Sequence, residues 1–282
     1  MKKQSLLLAS DLDRTILPNG FDEESNNARP LLRRLSQREE VCLVYVSGRN
    51  KNLLTEAVEG YQIPIPKYAI GDVGTTIYEG KNPFEWVPIE AWQEKISSDW
   101  KGKSWEDVKR LFDKIDDIKL QEEEMQNTFK VSYYTKDDID KKPLLLMMQE
   151  IAGEAGIDAS FIWSVDEAKK TGLLDVLPRY ATKLHALEFL KDEIVKIPSE
   201  NTVFSGDSGN DIPALTSGLN AVMVRNTRSD VVDEVMAIAK EKGIDKKIYL
   251  AKGDFLGMNG NYSAGVLEGI AHFFPQIIDW IS

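Results

Sequence analysis

Residues 6–15 read LLLASDLDRT, and the predicted architecture follows from this stretch. The run before Asp11 is apolar or small and does not alternate, which predicts a strand buried on both faces of a parallel sheet. Asp11 then lies at the carboxyl end of that strand, the edge at which open parallel sheets bind ligands. Asp13 points to the same side in an extended backbone. Two carboxylates about 4 Å apart repel by roughly 4 kcal/mol at an effective dielectric of 20, so the pair requires a cation or a shared proton.

An isolated Asp-Leu-Asp is also typical of a solvated turn, so its interpretation depends on the rest of the chain. Strand and helix patterns alternate before residue 80 and again after residue 180. The predicted strands cover residues 41–46, 68–70, 75–78, 202–205, 221–224 and 248–250. The predicted helices cover residues 25–38, 51–59, 229–242 and 263–274, with further helices beginning at 182 and after 211. This order predicts a doubly wound parallel sheet of the α/β class.

The middle of the chain has a different pattern. Residues 129–134 alternate as an antiparallel strand does, and residues 143–155 have the spacing of a helix. Residues 161–163 and 173–177 predict a hairpin whose connection covers residues 166–172. We therefore predict a Rossmann-like core domain and an inserted smaller α/β cap domain, the core made of residues 1–80 and 180–282 and the cap of residues 81–179.

Composition and charge argue against several classes of protein. The 282 residues, 42% hydrophobic and 29% charged, suit an ordinary soluble protein of two domains. A net charge of −11 argues against nucleic-acid binding, because phosphate backbones are bound by clustered Lys and Arg. We expect no membrane span and no secretory signal, since the apolar run between residues 1–3 and Asp11 is too short for either. The single cysteine, Cys42, lies in an apolar strand and predicts a buried structural thiol and a cytoplasmic location.

Acidic residues follow two of the predicted core strands. Asp11 and Asp13 follow the first strand, and Asp207 and Asp211 lie in the loop GDSGND after strand 202–205. The carboxyl ends of neighbouring parallel strands meet at one edge, so we expect these carboxylates to share a pocket. Hard oxygen ligands of this kind suit Mg²⁺, although Asp207 and Asp211 would also suit capping of the following helix.

Phosphate-binding candidates lie at the same predicted edge. Ser47 and Gly48 follow strand 41–46 ahead of a helix, where a hydroxyl and backbone N–H groups can bind a phosphate oxygen. Because a net charge of −11 repels an anionic substrate at long range, a phosphate site needs local positive charge, which Lys183 would supply. Taken alone, Lys183 suits an ordinary surface lysine equally well, and its position between the insertion and the acidic loop is what favours a role in the pocket.

Four separate stretches together resemble the motifs of the haloacid dehalogenase superfamily in its phosphatase branch: DLDRT at residues 11–15, SGR at 47–49, Lys183 and GDSGND at 206–211. Their order and spacing span the chain, and the joint match is specific although each motif alone is weak. The insertion resembles the type IIB α/β cap of the subgroup that includes sugar phosphatases. Residues 126–134 and 174–178 are most similar to those of bacterial and plant sucrose-phosphatases.

The resemblance implies a role for each motif residue. Asp11 is implied as the nucleophile and Asp13 as the general acid and base. Mg²⁺ would be held by Asp11, the backbone carbonyl of Asp13 and Asp207, with Asp211 supporting the metal site or Lys183. Ser47, Gly48 and Lys183 would bind the phosphoryl group, Asn210 would help to position it, and Thr15 would brace the loop. Arg14 receives no role, and Gln126 and Lys130 are candidate sugar contacts that, as exposed strand residues, need have no function.

The implied activity is Mg²⁺-dependent hydrolysis of a phosphorylated sugar through an aspartyl-phosphate intermediate, with sucrose-6-phosphate as the favoured substrate. Alternatives within the superfamily are a trehalose-phosphate or mannosylglycerate-phosphate phosphatase, or a mutase. An alternative of another class is a catalytically silent protein that binds a sugar phosphate. We expect a monomer that acts on a small molecule, without a nucleic-acid or membrane partner.

Overall fold

The computed structural model describes residues 6–82, 85–166 and 169–281. Residues 1–5, at which the predicted core begins, residues 167–168 of the predicted hairpin connection, and residue 282 lie outside this description. Within the described ranges, no helix has the length and hydropathy needed to cross a bilayer.

Helices and strands alternate along the chain in three sections. The first section contains β1 (Leu6–Ser10), α1 (Ala28–Ser36), β2 (Val41–Val46), α2 (Lys51–Gly60), β3 (Tyr68–Gly71), β4 (Thr76–Asn82) and β5 (Glu85–Pro88). The middle section contains α3 (Glu90–Ser97), α4 (Trp105–Leu111), β6 (Lys119–Leu120), β7 (Val131–Lys136), α5 (Lys141–Glu154), β8 (Ala159–Asp166) and β9 (Thr171–Pro178). The last contains α6 (Lys183–Phe189), a π-helix (Leu190–Val195), β10 (Thr202–Gly206), α7 (Ile212–Leu215), β11 (Asn220–Met223), α8 (Ser229–Glu241), β12 (Ile248–Leu250), α9 (Ser263–Phe273) and α10 (Ile277–Ile281).

One compact unit comprises Met1–Pro88 and Ala186–Ser282. Its described residues form an eight-stranded sheet in the order β12-β11-β10-β1-β2-β3-β4-β5. The strands from β12 to β3 pair in parallel, and β4 and β5 are antiparallel additions at one edge. Every residue of β1 and β2 is buried, as expected for central strands covered on both faces. The predicted doubly wound α/β class is confirmed.

The core of this unit forms because apolar side chains of the helices meet one face of the central strands. Helix α1 buries Ala28, Leu32 and Leu35, which recur at three- and four-residue intervals. These side chains join Leu6 and Leu8 of β1 in one hydrophobic cluster, to which α9 and α10 also contribute. The packing fixes the carboxyl end of β1, from which the acidic residues follow.

The second compact unit is Ile89–His185. Its described strands form a four-stranded antiparallel sheet in the order β6-β7-β9-β8. The predicted hairpin is present as β8 and β9, with Trp163 opposite Leu174. Helix α5 buries Leu144, Met148 and Ala152, four residues apart along one face.

The two units divide at positions that differ from the predicted boundaries near residues 80 and 180. Strand β4 runs to Asn82, and β5 continues the core sheet to Pro88, so residues 81–88 belong to the first unit. Strand β5 has no periodic pattern, because it is four residues long and ends in proline. Helix α10, which the sequence patterns did not predict, is also short, with five residues.

Candidate functional site

Three neighbouring strands carry the predicted site residues at their carboxyl ends. β1 lies between β10 and β2, with Ser10 opposite both Ser205 and Tyr45. The pairing continues one step beyond β1, since the Asp11 N–H donates to the Ser205 carbonyl at 2.9 Å. The loop after β1 therefore starts beside the loop that follows β10, which brings two acidic segments together at one edge.

Three carboxylates meet at this edge. Asp11, Asp207 and Asp211 each offer a carboxylate oxygen, and these oxygens lie within 4.8 Å of one another. The side chains are buried, with exposed fractions of 5%, 3% and 0%. Buried carboxylates this close repel one another in a low dielectric, and several oxygen ligands at one point are the donor set that Mg²⁺ prefers. The chemistry of this cluster fits a divalent cation.

Thr15 lies between two of these carboxylates. Its Oγ1 is 3.4 Å from Asp11 Oδ2 and 3.3 Å from Asp207 Oδ1, and the residue is fully buried. A threonine hydroxyl carries a single proton, so it can donate to only one carboxylate at a time. Thr15 therefore links the two acidic loops through a neutral group that carries no charge of its own.

Asp211 is fixed by the loop that it closes. Its Oδ2 accepts hydrogen bonds from the N–H groups of Asp207 and Ser208, both at 3.2 Å, and from Ser208 Oγ at 3.1 Å. These bonds form a capping box around the turn Gly209–Asp211. Asp211 is also the N-cap residue of α7, but its side chain makes no capping hydrogen bond to that helix, so the predicted helix-capping role is not the one that it performs. Gly206 makes this geometry possible, because a Cβ there would lie 2.7 Å from Asp211 Cβ.

Asp13 lies outside the three-carboxylate cluster and is held by other partners. Arg49 donates from Nε to Asp13 Oδ2 at 2.9 Å and from Nη2 to Oδ1 at 2.7 Å. Asn19 Nδ2 also donates to Oδ1, at 2.7 Å. The hydrogen bonds that Arg49 donates to Asp13 raise the pKa of the Arg49 guanidinium. Arg49 had no predicted role beyond its place in SGR and Asn19 had none, since no sequence pattern links either one to Asp13.

The predicted phosphate-binding residues of this unit have different exposures. Ser47 is buried, and its Oγ accepts a hydrogen bond from the Arg49 N–H at 3.2 Å. Gly48 and Asn210 are exposed, and Asn210 Oδ1 lies 3.0 Å from Ser208 Oγ, as an alternative acceptor to Asp211 for that hydroxyl proton. Ser47 follows β2 and Asn210 follows β10, so both lie on loops at the edge that carries Asp11.

Arg14, which had no predicted role, contacts the acidic cluster. Its Nε lies 3.4 Å from Asp207 Oδ2. Its backbone adopts a φ of 62°, in the left-handed region that costs a side chain such as arginine free energy. The loop therefore turns sharply at Arg14, between Asp13 and Thr15.

The remaining predicted site residues belong to the second unit. Lys183 is the first residue of α6, and its side chain is buried. Gln126 uses its amide within the unit: Nε2 donates to the carbonyls of Gln121 and Ser132, both at 3.1 Å, and Oε1 accepts from the Ser132 N–H at 2.7 Å. Lys130 is buried rather than exposed, and it precedes β7 instead of lying in it.

Known proteins resemble this chain over nearly its whole length. The family model described as sucrose-6F-phosphate phosphohydrolase matches residues 4–274. A HAD-like hydrolase of Nitrosococcus oceani is 48% identical over 279 residues, which cover 99% of this chain and 74% of that protein. The mannosylfructose-phosphate phosphatase of Agrobacterium fabrum is 27% identical over 269 residues, which cover 95% and 96% of the two chains. The sucrose-phosphatase of Synechocystis sp. PCC6803, solved with sucrose and phosphate, has the same fold, with a TM-score of 0.71 at 24% identity over 96% of this chain and 98% of that one.

Proposed function

Because this chain belongs to the sucrose-6F-phosphate phosphohydrolase family, within the haloacid dehalogenase-like phosphatases, we propose that its substrate is sucrose-6-phosphate and that it requires Mg²⁺. It is a phosphoric monoester hydrolase of the sugar-phosphatase type. The observation that carries the proposal is the buried cluster of Asp11, Asp207 and Asp211 at the carboxyl end of β1. A carboxylate nucleophile beside a cation site suits transfer of a phosphoryl group.

In the proposed reaction, a carboxylate oxygen of Asp11 attacks phosphorus and the bond between phosphorus and the sugar oxygen breaks. Asp13 gives its proton to the departing alkoxide, and an acyl phosphate remains on Asp11. Asp13 then takes a proton from water as the water oxygen attacks phosphorus, which releases inorganic phosphate and restores Asp11. Division of a very slow ester hydrolysis into two steps is the general advantage of a covalent intermediate.

The proposed metal ligands are the Asp11 and Asp207 carboxylates and the Asp13 backbone carbonyl, with Asp211 as a further member of the site. A bound Mg²⁺ would neutralise charge on the phosphoryl oxygens. The observation in favour is the donor set itself, since three buried carboxylates offer oxygens within 4.8 Å of one another, with the Thr15 hydroxyl between two of them. Arg14 approaches the same cluster, with its Nε 3.4 Å from Asp207 Oδ2.

We propose that the phosphoryl oxygens are bound by Ser47, Gly48, Lys183 and Asn210. Ser47 supports this assignment by its position after β2, the strand next to β1. Lys183 supports it by chemistry, since its ammonium is a buried cation of the kind that binds phosphoryl oxygens. The unit Ile89–His185 is proposed to act as the cap that selects the sugar, with Lys130 as the candidate contact, whereas the Gln126 amide already binds backbone groups within the unit.

The test is phosphate release from a panel of sugar phosphates, with Mg²⁺ and with EDTA. We expect the wild type to prefer sucrose-6-phosphate and to lose activity in EDTA. Asp11→Asn should reduce turnover by at least about a thousandfold without lowering the unfolding midpoint. Asp230→Asn, which alters an exposed carboxylate on α8, is the matched control and should retain full activity. If Asp11→Asn releases phosphate from the preferred sugar phosphate at the wild-type rate, the assignment of Asp11 as the nucleophile is overturned.

A second candidate substrate is a phosphorylated mannosylfructose. The relative that carries this activity in its name aligns over 96% of its own length, and both candidate substrates are phosphorylated disaccharides that contain fructose. A panel preference for it would keep the chemistry and replace the substrate, as would a preference for a trehalose or mannosylglycerate phosphate. Binding of a sugar phosphate without turnover would instead favour the catalytically silent alternative.

We propose a monomer in the cytoplasm that acts on a small molecule and binds neither nucleic acid nor membrane. The net charge of −11 and the single buried cysteine support it. Sedimentation at micromolar concentration would test the oligomeric state.

A further inference from the structure

We infer that Asn19 and Asn226 are positioning residues that fix the backbone around Arg14, and through it the direction of the Asp13 carbonyl oxygen. The inference rests on the proposed function, in which that oxygen is a metal ligand. Both asparagines lie outside the motifs that predicted the site. Each binds one of the two peptide groups that flank Arg14.

Asn19 holds the peptide group between Asp13 and Arg14. Its Oδ1 accepts a hydrogen bond from the Arg14 N–H at 2.8 Å, and its Nδ2 donates to Asp13 Oδ1 at 2.7 Å. This peptide is trans, so its C=O points away from its N–H. The N–H faces Asn19, and the Asp13 carbonyl therefore faces the opposite side. One carboxamide thus sets both the Asp13 carboxylate and the Asp13 carbonyl.

Asn226 holds the next peptide group. Its Nδ2 donates to the Arg14 carbonyl at 2.7 Å, and its Oδ1 accepts from the Tyr262 N–H at 2.9 Å. Arg14 itself has a φ of 62°, a conformation that a non-glycine residue keeps only where its surroundings fix it. Hydrogen bonds to the peptide groups on both sides supply that constraint. Without them we expect Arg14 to relax toward negative φ, which would rotate the Asp13 carbonyl.

Tyr262 anchors the far end of this arrangement. It is fully buried, with a φ of 50°, and its hydroxyl oxygen accepts a hydrogen bond from the Asp22 N–H at 3.2 Å. Gly20 lies so close that a Cβ there would be 2.6 Å from this oxygen. The chain after Asn19 is therefore attached to the same tyrosine whose N–H binds Asn226. The loop around Arg14 is therefore fixed on both sides by the side chains of Asn19, Asn226 and Tyr262.

The alternative is that both asparagines stabilise the fold without influence on the metal site. The two roles differ in what a truncation changes. A structural role lowers the unfolding midpoint and leaves the Mg²⁺ affinity of the folded protein unchanged. A positioning role lowers that affinity, since loss of a residue that orients a metal ligand typically costs about tenfold to a hundredfold in affinity.

The experiment measures Mg²⁺ binding by calorimetry on the substrate-free full chain, together with the unfolding midpoint in EDTA. We expect Asn19→Ala and Asn226→Ala each to weaken Mg²⁺ binding about tenfold or more. Asn220→Ala is the matched control, because Asn220 Nδ2 makes a comparable bond to the Glu200 carbonyl at 3.2 Å on an exposed surface. The control should bind Mg²⁺ as the wild type does.

Asn19 is exposed, so Asn19→Ala should fold even if Asn226→Ala does not, and it then decides the question alone. If Asn19→Ala binds Mg²⁺ with wild-type affinity, the inference is overturned, whatever happens to the unfolding midpoint. This conclusion requires that the wild type binds Mg²⁺ and that Asp207→Asn does not. A wild type that binds no Mg²⁺ would overturn the metal site of the proposed function, and the inference with it. The two failures are therefore distinguishable.

Discussion

Arg49 binds both carboxylate oxygens of Asp13, through Nε at 2.9 Å and Nη2 at 2.7 Å. A planar guanidinium matches a carboxylate in this way, and a lysine ammonium cannot make the two parallel bonds. We expect Arg49→Lys to lower kcat about tenfold to a hundredfold, because the proposed acid and base loses its fixed direction. The hydrogen bonds that Arg49 donates to Asp13 raise the pKa of its guanidinium, so the guanidinium stays charged and this loss should not depend on pH.

The matched control for Arg49 is another arginine with the same bond geometry. Arg228 binds Asp230 through Nε at 3.0 Å and Nη2 at 2.8 Å, on an exposed surface. Arg228→Lys should leave the steady-state rate of sugar-phosphate hydrolysis unchanged. Equal rates for Arg49→Lys and the wild type would show that Asp13 does not need its bidentate partner.

A second prediction concerns Mg²⁺ and stability. The buried carboxylates of Asp11, Asp207 and Asp211 repel one another, so a cation that binds them should stabilise the folded state. At a Mg²⁺ concentration a hundred times Kd, the expected stabilisation is about 2.7 kcal/mol. Asp207→Asn should raise the unfolding midpoint in EDTA and abolish its response to Mg²⁺. Thermal unfolding with and without Mg²⁺ measures both, and an unchanged response in Asp207→Asn would contradict the assigned ligand.

A third prediction concerns the close approach of Gly206 and Asp211. A Cβ at position 206 would lie 2.7 Å from Asp211 Cβ and 2.9 Å from its Oδ2, so Gly206→Ala must displace that side chain. We expect a loss of about 1–3 kcal/mol in the free energy of unfolding. Gly209→Ala, in the same loop with nothing within 4 Å of its added Cβ, should change that free energy little. Denaturant titrations compare them, and equal losses would mean that the contact is not responsible.

Some contacts of the site follow from the strand pattern of the sequence, and others do not. Asp11 and Asp207 follow buried parallel strands, and neighbouring strands share an edge, so their proximity follows from the strand pattern alone. The contact of Asn19 with Asp13 does not follow from any pattern, because the two residues lie on either side of the turn that Arg14 makes at positive φ. The contact of Arg49 with Asp13 joins side chains 36 residues apart, and no sequence pattern specifies it. Strand β5 was missed for a related reason. Four residues at a sheet edge carry too little periodicity to be separated from a loop.

A fourth prediction uses the only cysteine. Cys42 lies in β2, and burial raises the pKa of its thiol from 9.0 to about 11. The thiolate is the reactive form, so at pH 8 the folded protein should resist iodoacetamide, whereas the urea-unfolded chain should react quickly. The unfolded thiol loses its proton at lower pH than the folded thiol, so this group destabilises the fold as pH rises from 9 toward 11. Mass spectrometry follows the alkylation, and equal rates in both states would mean that Cys42 is accessible.

The last prediction separates a sugar contact from a structural role at Gln126. Its amide donates to the carbonyls of Gln121 and Ser132 and accepts from the Ser132 N–H at 2.7 Å. Truncation would leave these backbone groups without their partner, so Gln126→Ala should lower the free energy of unfolding by about 1–3 kcal/mol.

The KM of Gln126→Ala for the preferred sugar phosphate decides between the two roles. We expect a KM within about twofold of the wild type, because an amide that already binds three backbone groups has little capacity left for a sugar hydroxyl. Gln149→Ala, on an exposed face of α5, is the matched control and should change neither quantity. A large rise in KM with an unchanged unfolding midpoint would instead identify Gln126 as a sugar contact, and would mean that its backbone bonds are exchanged for substrate when the enzyme binds it.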